Sequence, residues 1–141
     1  MANLFSYPQD FATWDYLFAY DINAIRLDGV AINRQHQKTV ADLVRTTKRR
    51  MLIGGHDVPV ANLPYMFASD AGHVMAEGEP FAASYFDTPD GRNFSLRSTD
   101  AGMDVSEIAK HYGGGGHRNA AGFRVPFDHV LAYPAQLGAI A

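Results

Sequence analysis

Between Phe81 and Ser98 the sequence commits its backbone to a β-hairpin. Two runs, 81–87 and 92–98, flank Thr88-Pro89-Asp90-Gly91. In such a turn Pro presets φ, Asp bonds its own backbone and Gly accepts positive φ. The second run alternates, with Phe94 and Leu96 on one side and Asn93, Ser95 and Arg97 on the other. One face is therefore apolar and must be covered, and Arg97 leaves the opposite face together with Ser95. Taken alone, an arginine there reads as a solvated cross-strand charge.

The flanking sequence supplies the covering elements. Pro8-Gln9-Asp10 resembles a helix start, followed by Phe11, Trp14, Leu17 and Phe18 at helical spacing. Ile25, Gly29, Ile32, His36, Val40, Leu43 and Val44 continue the stripe through a longer helix. Its basic end, residues 45–50, suits a helix C-terminus, where the dipole favours cations, and reads as a solvated helix end or a phosphate contact. Residues 51–60 predict two short strands around Gly54-Gly55, with Pro59 favouring an edge strand because it cannot donate to a ladder. Ser69-Asp70 can cap a helix to about Ala76. Asp104-Val105-Ser106-Glu107 has the form of a capping box, and Val105, Ile108, Ala109 and Tyr112 make a short amphipathic helix closed by Gly113. Residues 123–127 predict a final strand and residues 128–140 a short helix. The class expected is α/β, with α+β as the alternative: a mixed sheet with helices packed on it. A helical N-terminal segment, 1–50, precedes a domain at 51–141.

Composition removes several function classes. A length of 141 residues suits one domain, and a net charge of −3 excludes a basic coat that binds nucleic acid by neutralising phosphates. The absence of cysteine removes disulfides, thiolate zinc sites and thiol nucleophiles, and fits a reducing cytoplasm. No apolar run approaches the ~20 residues that span a bilayer, and the N-terminus lacks the pattern of a signal peptide. The expectation is a cytoplasmic protein away from membranes.

The chemistry concentrates in Gly113-Gly114-Gly115-Gly116-His117-Arg118-Asn119-Ala120-Ala121-Gly122-Phe123. One glycine suffices to end the preceding helix, and four lose more backbone entropy on folding than any other residue would. They permit close approach of bare N–H groups to an anion. A helix starting near His117 would add its own N–H groups and dipole, with His117 and Arg118 at the mouth and small Ala120-Ala121-Gly122 packed on the sheet. The other reading is a flexible loop with a surface histidine. No Lys-Ser or Lys-Thr follows the glycines, so this is not a P-loop. They follow a helix rather than a strand, so it is not the dinucleotide fingerprint either.

Ser95-Leu96-Arg97-Ser98, then residues 104–109, then Gly113 to Phe123, resemble the DHHA1 domain. This is the C-terminal substrate-binding domain of DHH-family phosphoesterases, which include RecJ-type exonucleases and the oligoribonuclease/pAp-phosphatase group. The resemblance is sharp over residues 81–125. It implies that Arg97 and Ser95 hold a phosphate, that Gly114, Gly115 and Gly116 offer backbone donors, and that His117, Arg118 and Asn119 line the nucleotide. The implied partner is a phosphorylated nucleotide or short single-stranded oligonucleotide.

The family's chemistry belongs to a separate DHH domain holding two divalent metals, Mn or Mg. Two metals clamp the attacking and leaving oxygens and generate hydroxide. This chain has no Asp-His-His; Asp128-His129 comes closest, on the wrong side of the glycines. No catalytic or metal-binding residue is therefore assigned, and the expectation is a domain that does not hydrolyse its ligand alone, with an autonomous hydrolase using other residues as a third possibility. The alternative is a stand-alone module binding RNA or a protein. Phe5, Tyr7, Phe11, Trp14, Tyr16 and Phe18 crowd the first twenty residues, which predicts apolar surface covered by another domain or by a homodimer.

Overall fold

Asp10 opens the first helix by accepting the Thr13 N–H on its carboxylate at 2.7 Å, and α1 runs Phe11–Ala19. After Tyr20 and Asp21 the chain enters α2, Ile22–Thr47, a rod of about 39 Å at ~1.5 Å per residue. The computed structural model describes residues 4–132 and divides into two units, residues 1–41 and 42–141, the division falling inside α2. In the first unit Leu17 is buried and Trp14 half-buried, while Phe11 and Phe18 are 90% and 85% exposed. Ile25, Gly29, Ile32 and His36 are half-buried, as the stripe predicts. An apolar groove of about 720 Å³ opens here, lined by Trp14, Leu17, Phe18, Ile25 and Val30 among others.

The second unit is built on a six-stranded mixed sheet in the order β1-β2-β3-β4-β6-β5. The strands are β1 Arg49–Ile53, β2 His56–Asn62, β3 Ala82–Thr88, β4 Gly91–Arg97, β5 Gly115–His117 and β6 Ala120–Val125. Among them only β2 and β3 run parallel, joined across one face by α3, Ala68–Ala76. The hairpin closes as its sequence requires: Thr88 pairs with Gly91, whose φ is +137°, and Pro89-Asp90 form the turn. Phe94 and Leu96 are buried, whereas Asn93, Ser95 and Arg97 are half-buried on the other face.

The covered face carries Ile53, Val58, Val60, Tyr85, Phe94, Leu96 and Phe123 in one core with Val105 and Ala109 of α4, Val105–His111. Tyr112 stacks on Phe123 at 4.5 Å, and Phe123 on Phe94 at 4.9 Å. The Tyr112 hydroxyl also accepts the Gly54 N–H at 2.8 Å, tying α4 to the β1–β2 turn. On the opposite face α3 lies over β3 and β4, with Ala71, Gly72 and Met75 buried. Among the described residues no helix is long and apolar enough to cross a membrane.

Several local expectations shift. The basic run is split: α2 ends at Thr47, and Arg49 and Arg50 belong to β1, where Arg49 bonds the Tyr85 hydroxyl and Arg50 pairs with Asp57 and Glu79. Pro59 lies on an inner strand, not an edge. It precedes the stretch paired with β3, which starts at Val60, so the missing N–H removes no rung there. Ser69 and Asp70 sit inside the first turn of α3, because the 3-10 turn Tyr65–Phe67 runs straight into it and Phe67 takes the cap position without a side-chain bond. The last strand starts earlier and ends sooner than expected, at Ala120 and Val125. Of the expected C-terminal helix only a 3-10 turn, Val130–Ala132, falls within the described residues; positions 133–140 lie outside them.

Candidate phosphate-binding site

The glycine run begins as a helix cap. Asp104 accepts the Ser106 N–H at 2.9 Å and its hydroxyl at 2.6 Å, and those bonds, with Arg118 nearby, hold its carboxyl below the ordinary range. Glu107 does not complete a capping box; its carboxylate pairs with Lys110. At the other end Gly113, with φ +79°, donates to the Lys110 carbonyl, and Gly114 donates to the Ala109 carbonyl. These two bonds form a Schellman cap that turns the chain back towards the sheet.

Beyond this cap the chain forms a strand, which corrects the expectation of a helix starting near His117. β5 pairs with β6 as Gly115↔Gly122, Gly116↔Ala121 and His117↔Ala120, around a two-residue turn at Arg118-Asn119. Ala120-Ala121-Gly122 are sheet residues between β4 and β5; their local helix preference yields to non-local pairing. No helix dipole therefore acts at His117. β5 is instead an edge strand, so one row of its backbone N–H and C=O groups has no strand partner among the described residues.

The register assembles the candidates. Arg97 pairs with Ala120, which pairs with His117; Ser95 pairs with Gly122, which pairs with Gly115. Since Ser95 and Arg97 point away from the core, Gly115 and His117 share their face. Only Ala120 and Gly122 lie between them, so the floor is nearly bare backbone. Arg97 and His117 stand about 10 Å apart by strand spacing, and His117 is exposed. The result is a shelf beside α3, walled by a guanidinium on one side and a glycine edge with an imidazole on the other.

Arg118 and Asn119 turn a different way. The Arg118 guanidinium donates to the carbonyls of Asp100 and Gly102 at 3.4 and 3.1 Å, and Asn119 Nδ2 donates to the Asp100 carboxylate at 2.9 Å. Their backbone carbonyls accept the N–H groups of Val105 and Ser98 at 2.8 and 3.2 Å. Both residues brace the β5–β6 turn against the loop before α4, next to His117.

One position that sequence reasoning missed shapes the shelf. Gly72 of α3 packs on Arg97: a Cβ there would lie 2.6 Å from Arg97 Cγ. A glycine inside a helix is the signal that could have found it, since it costs about 1 kcal/mol against alanine and needs a packing reason. Arg97 is half-buried under this contact, and Nη1 donates to its neighbour's carbonyl, that of Leu96, at 2.9 Å. Within the run, a Cβ on Gly114 would strike β6 backbone, one on Gly116 would come within 2.5 Å of Ala121 Cα, and Gly113 holds positive φ. Gly115 alone has no atom within 4 Å of its would-be Cβ and no positive φ. Three glycines are explained by the fold, and Gly115 is not.

Among the described residues no three His, Asp or Glu side chains converge on a point that could hold a metal ion.

Comparison with known proteins places residues 71–133 in the DHHA1 domain family. A stretch of 76 residues is 44% identical to Uncharacterized protein R106 of Acanthamoeba polyphaga mimivirus, covering 45% of this chain and 18% of that protein. Among solved structures, the pGpG-specific phosphodiesterase PggH of Vibrio cholerae superposes with a TM-score of 0.55 at 13% identity, over 81% of this chain and 43% of that one. A DHH domain described as a member of the s1p family of ribosomal proteins aligns at 0.47 with 15% identity, over 71% of this chain and 28% of that one. At such identities the structural likeness is one of fold. The chain spans less than half the length of each of these proteins.

Proposed function

With residues 71–133 forming a DHHA1 domain, the chain is related to the DHH-family phosphoesterases, and we propose that it is a substrate-binding part of one. The ligand is the phosphate of a nucleotide or short single-stranded oligonucleotide, seated on the shelf between β4 and β5. Arg97 supplies the charge-assisted contact, the β5 edge at Gly115–Gly116 supplies a backbone donor (the Gly114 N–H being used by the Ala109 carbonyl in the α4 cap), and Ser95 and His117 supply hydrogen bonds from either side. Arg118 and Asn119 hold the turn that presents His117. The chemistry belongs to a DHH domain outside these 141 residues, with its divalent metals, Mn or Mg. A linear dinucleotide fits the fold relationship to a protein named for pGpG.

The observation that carries this reading is the register: Arg97, Ser95, Gly115 and His117 on one face, with only Ala120 and Gly122 between. The test is calorimetric titration with a 5′-phosphorylated diribonucleotide, in chelator, for the wild type and Arg97→Ala. Saturable wild-type binding that weakens at least tenfold in the variant is expected, a charged hydrogen bond being worth about 1.5–3 kcal/mol. Thermal unfolding of the two proteins should coincide within a few degrees. Equal affinity in both proteins would overturn the role given to Arg97.

A further inference from the structure

The shelf face continues past the residues that hold the phosphate. One step further along the strands from Ser84↔Ser95↔Gly122 lies Phe86↔Asn93, with Arg124 beyond. Phe86 alternates with buried Tyr85, so it points to the shelf face. The Tyr65 ring meets it edge-on, with centroids 5.9 Å apart at 61°. Tyr65 is nevertheless 69% exposed. A single exposed aromatic needs no explanation. Here two rings touch on a surface already read as a nucleotide site, and an edge-to-face pair leaves ring face open to solvent.

The position is also rigid. Leu63 N–H donates to the Tyr85 carbonyl at 3.1 Å, fixing the chain to β3 as it leaves β2. Phe67 N–H donates to the Pro64 carbonyl, so Tyr65 sits on a closed 3-10 turn leading directly into α3. The same helix packs Gly72 on the stem of Arg97. One element therefore sets both the guanidinium and the Tyr65 ring. By strand geometry the Phe86 level lies about 7 Å from the Ser95 level and about 14 Å from that of Arg97, a span for a dinucleotide rather than a single nucleotide.

We propose that Tyr65 and Phe86 form a stacking platform for a nucleobase of the dinucleotide whose phosphate Arg97 holds, so that the shelf selects base-bearing nucleotides over bare sugar phosphates and polyphosphate. The inference rests on the phosphate-site reading under Proposed function. Stacking of a base on an aromatic side chain is sequence-tolerant, because every base has a π-face, and corresponds to about tenfold or more in affinity. The Asn93 amide is already engaged by Thr88 and Gly91 in the hairpin turn, so the platform reads the presence of a base more than its identity.

The experiment titrates two probes in chelator: a 5′-phosphorylated diribonucleotide and an abasic analogue with the same phosphates. Wild type is expected to bind the base-bearing probe about tenfold more tightly. Tyr65→Leu should bring that affinity down to the abasic level without changing the abasic affinity, and Tyr65→Phe, which keeps the ring, should restore it. An exposed position makes loss of fold an unsuitable explanation, and circular dichroism checks that directly. If Tyr65→Leu binds both probes as wild type does, or if wild type binds both equally, the platform is overturned while an effect of Arg97→Ala leaves the phosphate site standing. If wild type binds neither probe, the phosphate site and the platform both fall.

Discussion

Gly114→Ala and Gly115→Ala lie one position apart and should behave in opposite ways. A Cβ on Gly114 would run into the Gly122 carbonyl oxygen and stand 2.6 and 2.7 Å from Phe123 Cβ and Cα. Those atoms are held by the β4–β6 ladder at Ser95↔Gly122 and Phe94↔Phe123, so they cannot retreat without opening it. Gly114 also donates its N–H to the Ala109 carbonyl in the α4 cap, at 2.9 Å. Overpacking of this kind costs about 1–3 kcal/mol, and a weakened hydrogen bond about 1 more. The expected loss is about 3 kcal/mol, or roughly 10 °C and more in midpoint for a unit of this size. A Cβ on Gly115 meets nothing within 4 Å. There alanine should leave stability unchanged or raise it by about 0.5 kcal/mol, because it restricts the unfolded chain. Denaturation followed by far-ultraviolet circular dichroism separates the two. On the shelf, the added methyl of Gly115→Ala should weaken diribonucleotide binding about tenfold, in line with close backbone approach as the reason for glycine. If Gly115→Ala unfolds as easily as Gly114→Ala, the whole run is structural and says nothing about a ligand. Full affinity in a stable Gly115→Ala protein would place the ligand elsewhere.

Acid should reveal the hairpin ion pair. Arg92 bonds both carboxylate oxygens of Asp87, at 2.8 and 3.0 Å, and holds that carboxyl below its ordinary value. The folded value is depressed, so the stabilisation is present above the unfolded pKa of about 3.9 and is lost as pH falls through the folded one. Asp87→Asn should therefore show a shallower fall in stability below about pH 4 than wild type in urea titrations. The difference should shrink in high salt, since the Asp87 side chain is 45% exposed. Tyr112→Phe keeps the stack on Phe123 but removes the acceptor for Gly54 N–H. It should cost about 1 kcal/mol and accelerate hydrogen exchange at the Gly54 amide, and an unchanged exchange rate would count against that bond.

The parts of this structure readable from sequence are those decided within a few residues. Pro89-Asp90-Gly91 and the alternation of Phe94 and Leu96 with Ser95 and Arg97 fix a turn and two faces locally, and the sheet obeys them. Asp104 and Gly113 likewise mark both ends of α4. Pairing across the chain is not written this way. Ala120-Ala121 have helical preference, and only insertion between β4 and β5 makes them strand. Arg118 and Asn119 look like ligand contacts beside a glycine run, yet they reach back 16 to 19 residues to Asp100 and Gly102. Tyr65-Met66-Phe67 carried one unread signal: an apolar run outside any periodic element, with Tyr65 and Met66 69% and 74% exposed.

The same contrast explains how the shelf between β4 and β5 is held in place. Each wall is set by a structural device that does other work as well. The Schellman cap ends α4 and delivers Gly114 to β6. The Asp100–Gly102 braces fix the turn after His117. Gly72 lets α3 close on the Arg97 stem while Nη1 is held by the Leu96 carbonyl. Rigid supports of this kind reduce the ordering that binding would otherwise require. The expected consequence is that damage to a support, such as Gly72→Ala with its 2.6 Å approach to Arg97 Cγ, weakens ligand binding by displacing the guanidinium even where the sheet itself survives. Gly115 differs from all of these positions, since removing its freedom disturbs no support, and for that reason it isolates the ligand's own requirement from the fold's.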